Sequence, residues 1–429
     1  MKLSSLLAAA LLVGCAVEPE VTEDDHAVAG DGNIVTAWAT IAADAIVRPV
    51  EDQPTLRPPG ASSMFMAQVQ LAVYDTMVAI REEPFEPFSY NAYCFGNPNR
   101  EAAVATTAYR ILRTRVPGRA AYLDAQYAAT MDAIRDGRRK TDGINLGEDV
   151  AAHYLALRAN DNLGNTYTWV QPPTGPGVWE PTVAAPPAEY NITFVPPYTF
   201  DIADTSDYYP PPPPALPSYD YAHDWTEVRD LGRSNSTIRT EAQRQLALWS
   251  AENPFRWEAR NVNELAVARN LNAMRSARLF AMVHTAGADG LQTCMSAKYF
   301  YNLWRPFHSI PRADTDGNDL TPADPTWTPL LNVNHPEYPA GHGCFGAGTM
   351  VEAVRAFFRT DHIDWTLTTV GVAGLTETTR AYTSLDDLAD DVINARVLAG
   401  LHYRFSVEAG RDQGEAVVDH IVANHFHRN

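Results

Sequence analysis

The chain has 429 residues, 45% of them hydrophobic, with 52 acidic against 33 basic side chains and a formal net charge of −19. Such a length and composition describe a globular body with a sizeable core, built as one large or two ordinary domains. A surface of that charge disfavours nucleic acid and acidic membranes as partners, and beyond residue 14 no apolar run is long enough to span a bilayer as a helix.

The first segment, MKLSSLLAAALLVGC, carries one Lys, then an apolar stretch from Leu6 to Val13, and ends at Cys15. That order of charge, apolar run and small residues predicts a secretion signal over residues 1–14. Its last four residues, Leu-Val-Gly-Cys, resemble a bacterial lipobox. The resemblance implies cleavage before Cys15, a lipid on that cysteine, and an exported protein anchored to a cell-envelope membrane, facing periplasm or exterior. Residues 15–32 are acidic with Gly and Pro, as a flexible tether would be. The single α-helical domain is expected over 33–429. Cys94, Cys294 and Cys344 remain, an odd number that cannot all pair within one chain. One bridge is open to an exported protein, and the spacing does not choose the pair.

Apolar periodicity predicts a helix over 61–81, with Ser62 and Ser63 as cap candidates, and further helices over 100–116, 120–135 and 145–160. Short joints between them imply antiparallel packing, as in helical bundles. Residues 165–225 break the pattern with PPTGPGVW, VPPY and YYPPPPPALP. This reads as a long extended loop over the surface, anchored by Trp179, Tyr190, Phe194, Tyr198 and Tyr208. A docking strip for a proline-reading partner is the alternative. Helices resume over 240–250 and 261–286. No run of alternating residues argues for a sheet, so the fold class is all-α.

Three segments in the last third gather positive charge. In KYFYNLWRP, Lys298 and Arg305 stand seven residues apart, two helical turns, so they are expected on one helix face that Pro306 ends. In HPEYPAGHGCFG, Ala340-Gly341-His342 falls at the start of an apolar-periodic segment over 343–358. A helix start offers unpaired backbone N–H groups, and Gly341 lets a ligand come close to them. In NARVLAGLHYRFS, Arg396 and His402 converge only if the helix ends near Gly400. Each pattern alone also has a plain reading: a solvated helix face, a proline-punctuated turn, a half-buried histidine.

Taken together and in this order, the three segments resemble the signature of the vanadium-dependent haloperoxidase and PAP2 acid phosphatase superfamily, KxxxxxxRP, PSGH and SRxxxxxHxxxD. Lys298, Arg305, Pro306, Pro339, Gly341, His342, Arg396 and His402 match it. The chain from about residue 33 onward looks like the bacterial haloperoxidase-type branch. The resemblance implies a helical-bundle fold and vanadate as cofactor. Lys298, Arg305, Arg396 and the Gly341 N–H would hold its oxygens, His402 would be its single protein ligand and His342 the acid/base. Hydrogen peroxide, a halide (bromide or iodide favoured) and a small-molecule acceptor follow as partners. His335 falls where a histidine resembles bromoperoxidases; an exposed loop histidine is its plain reading.

Three positions depart from the signature: Ala340 for the motif serine, Ala395 for the serine before the arginine, and Ser406 for the final aspartate. Without that aspartate, Glu408 or a backbone carbonyl is left to fix the tautomer of His402, and Glu252 is a candidate partner for Arg396. The departures keep two other functions open. One is an acid phosphatase that forms a phosphohistidine at His402; the other is an inactive, lipid-anchored oxyanion-binding protein. The sequence sets no oligomeric state and leaves a homo-oligomer open.

Overall fold

The computed structural model describes residues 32–52, 55–80, 84–92, 96–183, 186–198, 202 and 204–428. The expected signal, the tether but for Gly32, Cys15 and Cys94 lie outside the described residues. Where it is described, the chain is mostly helical. Its core helices are Pro59–Ile80, Arg100–Arg115, Arg138–Leu157, Ala273–Tyr301 and Arg404–Asn424. Among the described residues no helix is long and apolar enough to cross a membrane.

Local chemistry sets most helix boundaries. Asn33, Asn99, Asn253, Asn272 and Thr240 each accept a backbone N–H of the turn that follows, which is why helices open after them. The helix expected over 61–81 begins two residues earlier. Pro59 takes its first position, where a missing N–H costs nothing, and Ser62 and Ser63 are buried inside it rather than capping it. The single helix expected over 261–286 is two. Asn270 adopts φ 48, Asn272 caps afresh, and the second helix runs 29 residues, Ala273–Tyr301.

The stretch over 165–225 is largely extended, as expected, with 3-10 turns at Tyr190–Phe194 and Thr205–Tyr208. Trp179 and Tyr198 are buried anchors, Phe194 is 39% exposed, and a helix already starts at Tyr219 after its cap Ser218. One sheet was not expected. His362–Thr368 pairs antiparallel with Thr379–Ser384, and the inward residues Ile363, Trp365 and Leu367 alternate with outward ones.

Two features position the last third of the chain. A disulfide joins Cys294 on the long helix to Cys344. The helix opened by Gly341 and His342 runs as a π-helix over Gly343–Met350 before relaxing to α over Val351–Phe358. It packs on Arg404–Asn424 at backbone distance: a Cβ on Gly343 would meet the Val407 carbonyl at 2.2 Å, and one on Gly414 the Cys344 carbonyl at 2.3 Å. Only glycine permits that approach.

Candidate active site

The three cations come from three different elements. Lys298 closes the last turn of the Ala273–Tyr301 helix, fully buried, and its Nζ donates to the carbonyls of Pro336 at 3.2 Å and Glu337 at 2.8 Å. Arg305 is not on that helix: Asn302 turns the chain at φ 46, and Arg305 is an extended residue ahead of the short helix Pro306–Ser309. The shared helix face expected for Lys298 and Arg305 is therefore corrected. The two meet because the loop, not helical periodicity, returns Arg305 to the same place.

From there Arg305 Nε donates to the His335 carbonyl at 2.6 Å, and Nη2 donates to the Pro336 carbonyl at 3.1 Å and to His335 Nδ1 at 2.9 Å. Its Nη1 donates to the Leu401 carbonyl at 2.8 Å and to His402 Nε2 at 3.3 Å. Arg396, in the last turn of Leu385–Leu398, donates through Nη1 to the Ser250 carbonyl at 3.0 Å and hydroxyl at 3.2 Å. Its Nε is buried without a hydrogen-bond partner among the described residues.

Burial pushes Arg305 down to about 10 and Arg396 down to about 9, the latter also through repulsion from Arg305. Burial and the charges of Arg305 and Arg396 hold Lys298 well below the ordinary lysine value. Guanidinium groups nonetheless keep their charge. What the shifts register is a cluster of buried cations that an anion would relieve.

Both histidines stand among these charges. His342 is the second residue of its helix, and the N–H groups of Gly341 and His342 have no intrahelical carbonyl ahead of them. Burial, then Arg396 and Lys298, hold its ring well below its ordinary value and so neutral, against a weaker opposing pull from the Ser250 backbone. A cavity of about 20 Å³, room for roughly one water, lies beside it between Trp249, Trp257, Phe345 and Val392.

His402 follows the helix end, where Gly400 turns at φ 73 as expected. Burial, then Arg305 and Lys298, keep it neutral too. Its Nδ1 lies 2.8 Å from Glu337 Oε1, which also accepts the Tyr403 N–H at 3.0 Å. Glu337 is fully buried, and burial pushes its carboxyl up to about 7 against the pull of Lys298 and Arg305.

The residues fit a tetrahedral oxyanion. Lys298, Arg305 and Arg396 lie buried within reach of one another's charge, Lys298 and Arg305 also feel the Glu337 carboxylate, and a helix start adds backbone donors. The arrangement can hold an anion, offer an imidazole lone pair to its central atom from His402, and move a proton through a second neutral imidazole, His342.

The structure thus gathers Lys298, Arg305, Gly341, His342, Arg396 and His402 as expected, and His335 with them as a partner of Arg305. Two partner assignments are corrected. Glu252 does not meet Arg396; it pairs with Arg260 through both oxygens at 2.8 and 2.7 Å, and Arg396 turns to Ser250 instead. Glu408 does not reach His402; it is exposed and feels Arg404 and Asp224. Ser250 and Glu337 were missed. Glu337 lies inside HPEYPAGH, a carboxylate between two prolines, in a chain whose His402 lacks an acid four residues on; that conjunction was the available signal.

Residues 278–428 match the family model of the VCPO second helical-bundle domain. The chain is 26% identical over 316 residues to vanadium chloroperoxidase of Curvularia inaequalis, covering 61% of this chain and 49% of that one, so it spans about half the length of the curated relative. The crystal structure of the first bacterial vanadium-dependent iodoperoxidase superposes with a TM-score of 0.74 at 22% identity, over 92% of this chain and 98% of that chain. A holo-type bacterial vanadium-dependent chloroperoxidase gives 0.68 at 16% identity, over 88% and 95%. At these identities the solved structures share the helical fold with this chain.

Proposed function

We propose, for a chain that carries the helical fold of the vanadium-dependent haloperoxidases, that it uses hydrogen peroxide to oxidise bromide or iodide to hypohalite, which halogenates a small-molecule acceptor. The observation that supports this reading best is the convergence of Lys298, Arg305 and Arg396, all buried, around His402. Three buried cations, of which only Lys298 and Arg305 feel the Glu337 carboxylate, favour a multiply charged oxyanion over a neutral ligand.

Vanadate, when bound, supplies a Lewis acid that activates peroxide toward halide. The chain's own residues do the rest. Lys298, Arg305, Arg396 and the Gly341 N–H hold the oxygens. His402 offers Nε2 to the central atom, and being neutral it has a lone pair to give. His342, also neutral, would accept and return a proton at an oxygen of the bound anion. His335, fixed on Arg305 at 2.9 Å, supports the bromide or iodide preference by its resemblance to the bromoperoxidase residue. The Leu-Val-Gly-Cys end of the signal supports a lipid anchor at Cys15. If Cys15→Ser partitions into membranes as the parent does, the anchor is not there.

The test is an assay of purified protein with and without orthovanadate, peroxide plus bromide or iodide against a phosphomonoester. Vanadate-dependent halogenation is the expected result. Phosphate release that vanadate inhibits would replace this reading with the phosphatase, and silence in both would leave an oxyanion-binding protein.

A further inference from the structure

We infer that Glu337 is the positioning residue of His402, supplying from the loop before His342 the carboxylate that the superfamily signature places four residues after the histidine. His402 can offer Nε2 to a ligand only if its proton sits on Nδ1. Glu337 Oε1 already accepts the Tyr403 N–H and lies 2.8 Å from Nδ1, so it is placed as the acceptor that holds that proton. Arg305 can only donate, so its 3.3 Å contact to Nε2 requires the same tautomer. The second constraint is lost once an oxyanion takes that donor; the first is not.

Glu337 is held through one carboxylate oxygen and through its backbone. Oε1 accepts the Tyr403 N–H at 3.0 Å, which ties it to the backbone directly after His402. The Glu337 carbonyl accepts Lys298 Nζ at 2.8 Å and the Ser406 hydroxyl at 3.3 Å, and the Glu337 N–H donates to the Leu303 carbonyl at 2.9 Å. Ser406 is therefore not an empty substitute. It occupies the signature's acid position and touches the residue that has taken over the acid's work. A second carboxylate there would stand against Glu337 in a fully buried site, so a small hydroxyl at 406 and an acid at 337 belong together. The loop that carries Glu337 is also the one gripped by Lys298 and Arg305, so the His402 partner and the oxygen-holding cations move as one unit.

The assignment rests on the haloperoxidase reading for what His402 binds, but the tautomer does not. Histidine-labelled protein without vanadate should show, in long-range proton–nitrogen spectra, a hydrogen-bonded proton on Nδ1 of His402 and a bare Nε2. Glu337→Ala should lose that proton signal to solvent exchange, mix the two tautomers, and weaken orthovanadate binding by roughly ten- to a hundred-fold, the usual effect of removing such a partner. Glu337→Gln keeps the shape and an accepting oxygen, so it should keep the tautomer and lose several-fold in affinity; it carries the test if the alanine variant does not fold. Glu337→Ala with Ser406→Asp should recover both signal and affinity, which a purely structural role for Glu337 would not allow. The inference is overturned if Glu337→Ala keeps the Nδ1 proton and binds vanadate within two-fold of the parent. If the parent shows the tautomer but binds no vanadate, the cofactor reading fails and the positioning role stands.

Discussion

Arg305 Nη1 lies 3.3 Å from His402 Nε2, so a guanidinium N–H occupies the direction in which His402 would bond a central atom. An oxyanion entering the site must take over that donor, and Arg305 then passes from holding the histidine to holding an oxygen beside it. The two histidines should consequently fail in different ways. His402→Ala removes the bond to the central atom, and vanadate retention and turnover should collapse together. His342→Ala leaves Lys298, Arg305, Arg396 and Gly341 in place, so vanadate should still bind while turnover drops by roughly 10²–10⁴-fold. Vanadate titration alongside kcat decides it: near-parental turnover in vanadate-saturated His342→Ala would make His342 a bystander.

Ala340 is fully buried, with its N–H on the Ser406 carbonyl at 2.9 Å, directly ahead of Gly341. Ala340→Ser adds one hydroxyl where the signature has one, and should tighten vanadate binding by at most about ten- to a hundred-fold, the worth of one charge-assisted hydrogen bond. Unchanged affinity in a folded variant would mean that another group, such as the Ser250 hydroxyl, already serves that oxygen.

Residue type and order were enough to single out the cations and histidines that the fold brings together, because an oxyanion site demands particular side chains. How they meet was less legible. Lys298 and Arg305 looked like neighbours on a helix, yet a left-handed Asn302 ends it first, a turn that asparagine tolerates but does not announce. Asn270 and Asn272 hid a helix break in the same way inside an unbroken apolar period. His402 was placed correctly because Gly400 marks its turn. Its partner was sought nearby in sequence, whereas Glu337 comes from 65 residues away. Arg396 shows the same limit, since its partner Ser250 is 146 residues distant and the candidate acid, Glu252, is held by Arg260. Long-range pairing of buried polar groups has no period to read.

The Cys294–Cys344 bridge closes a segment with a sequence separation of 50 and lies four residues before Lys298 and two after His342. Chain-entropy arguments assign a loop of that size roughly 4 kcal/mol of stability. Cys294→Ser with Cys344→Ser should therefore lower the unfolding midpoint markedly. It should also weaken vanadate binding, because the helices that carry Lys298 and His342 lose their tie. Denaturant titration of the double variant against the parent measures the first effect. An unchanged midpoint would show that helix packing alone holds this corner.

Glu189 gives the pH dependence its sign. The residue sits at φ 62 in the loop before Tyr190–Phe194, and its Oε1 accepts the Gly60 N–H at 3.0 Å, in the first turn of Pro59–Ile80. Burial pushes its carboxyl from 4.5 up to about 7, and the Gly60 hydrogen bond only partly opposes this. With the folded value above the unfolded one, the native state keeps a proton between about 4.5 and 7 that the unfolded chain has released. Its contribution to stability is therefore lost as pH rises through that window. Glu189→Gln keeps an oxygen for Gly60 and removes the titration. The variant and parent should have similar midpoints near pH 4 and diverge as pH rises, with the glutamine variant the more stable at pH 8. Thermal unfolding across that range tests the assignment, and parallel curves would mean that Glu189 ionises in the native protein as it does in water.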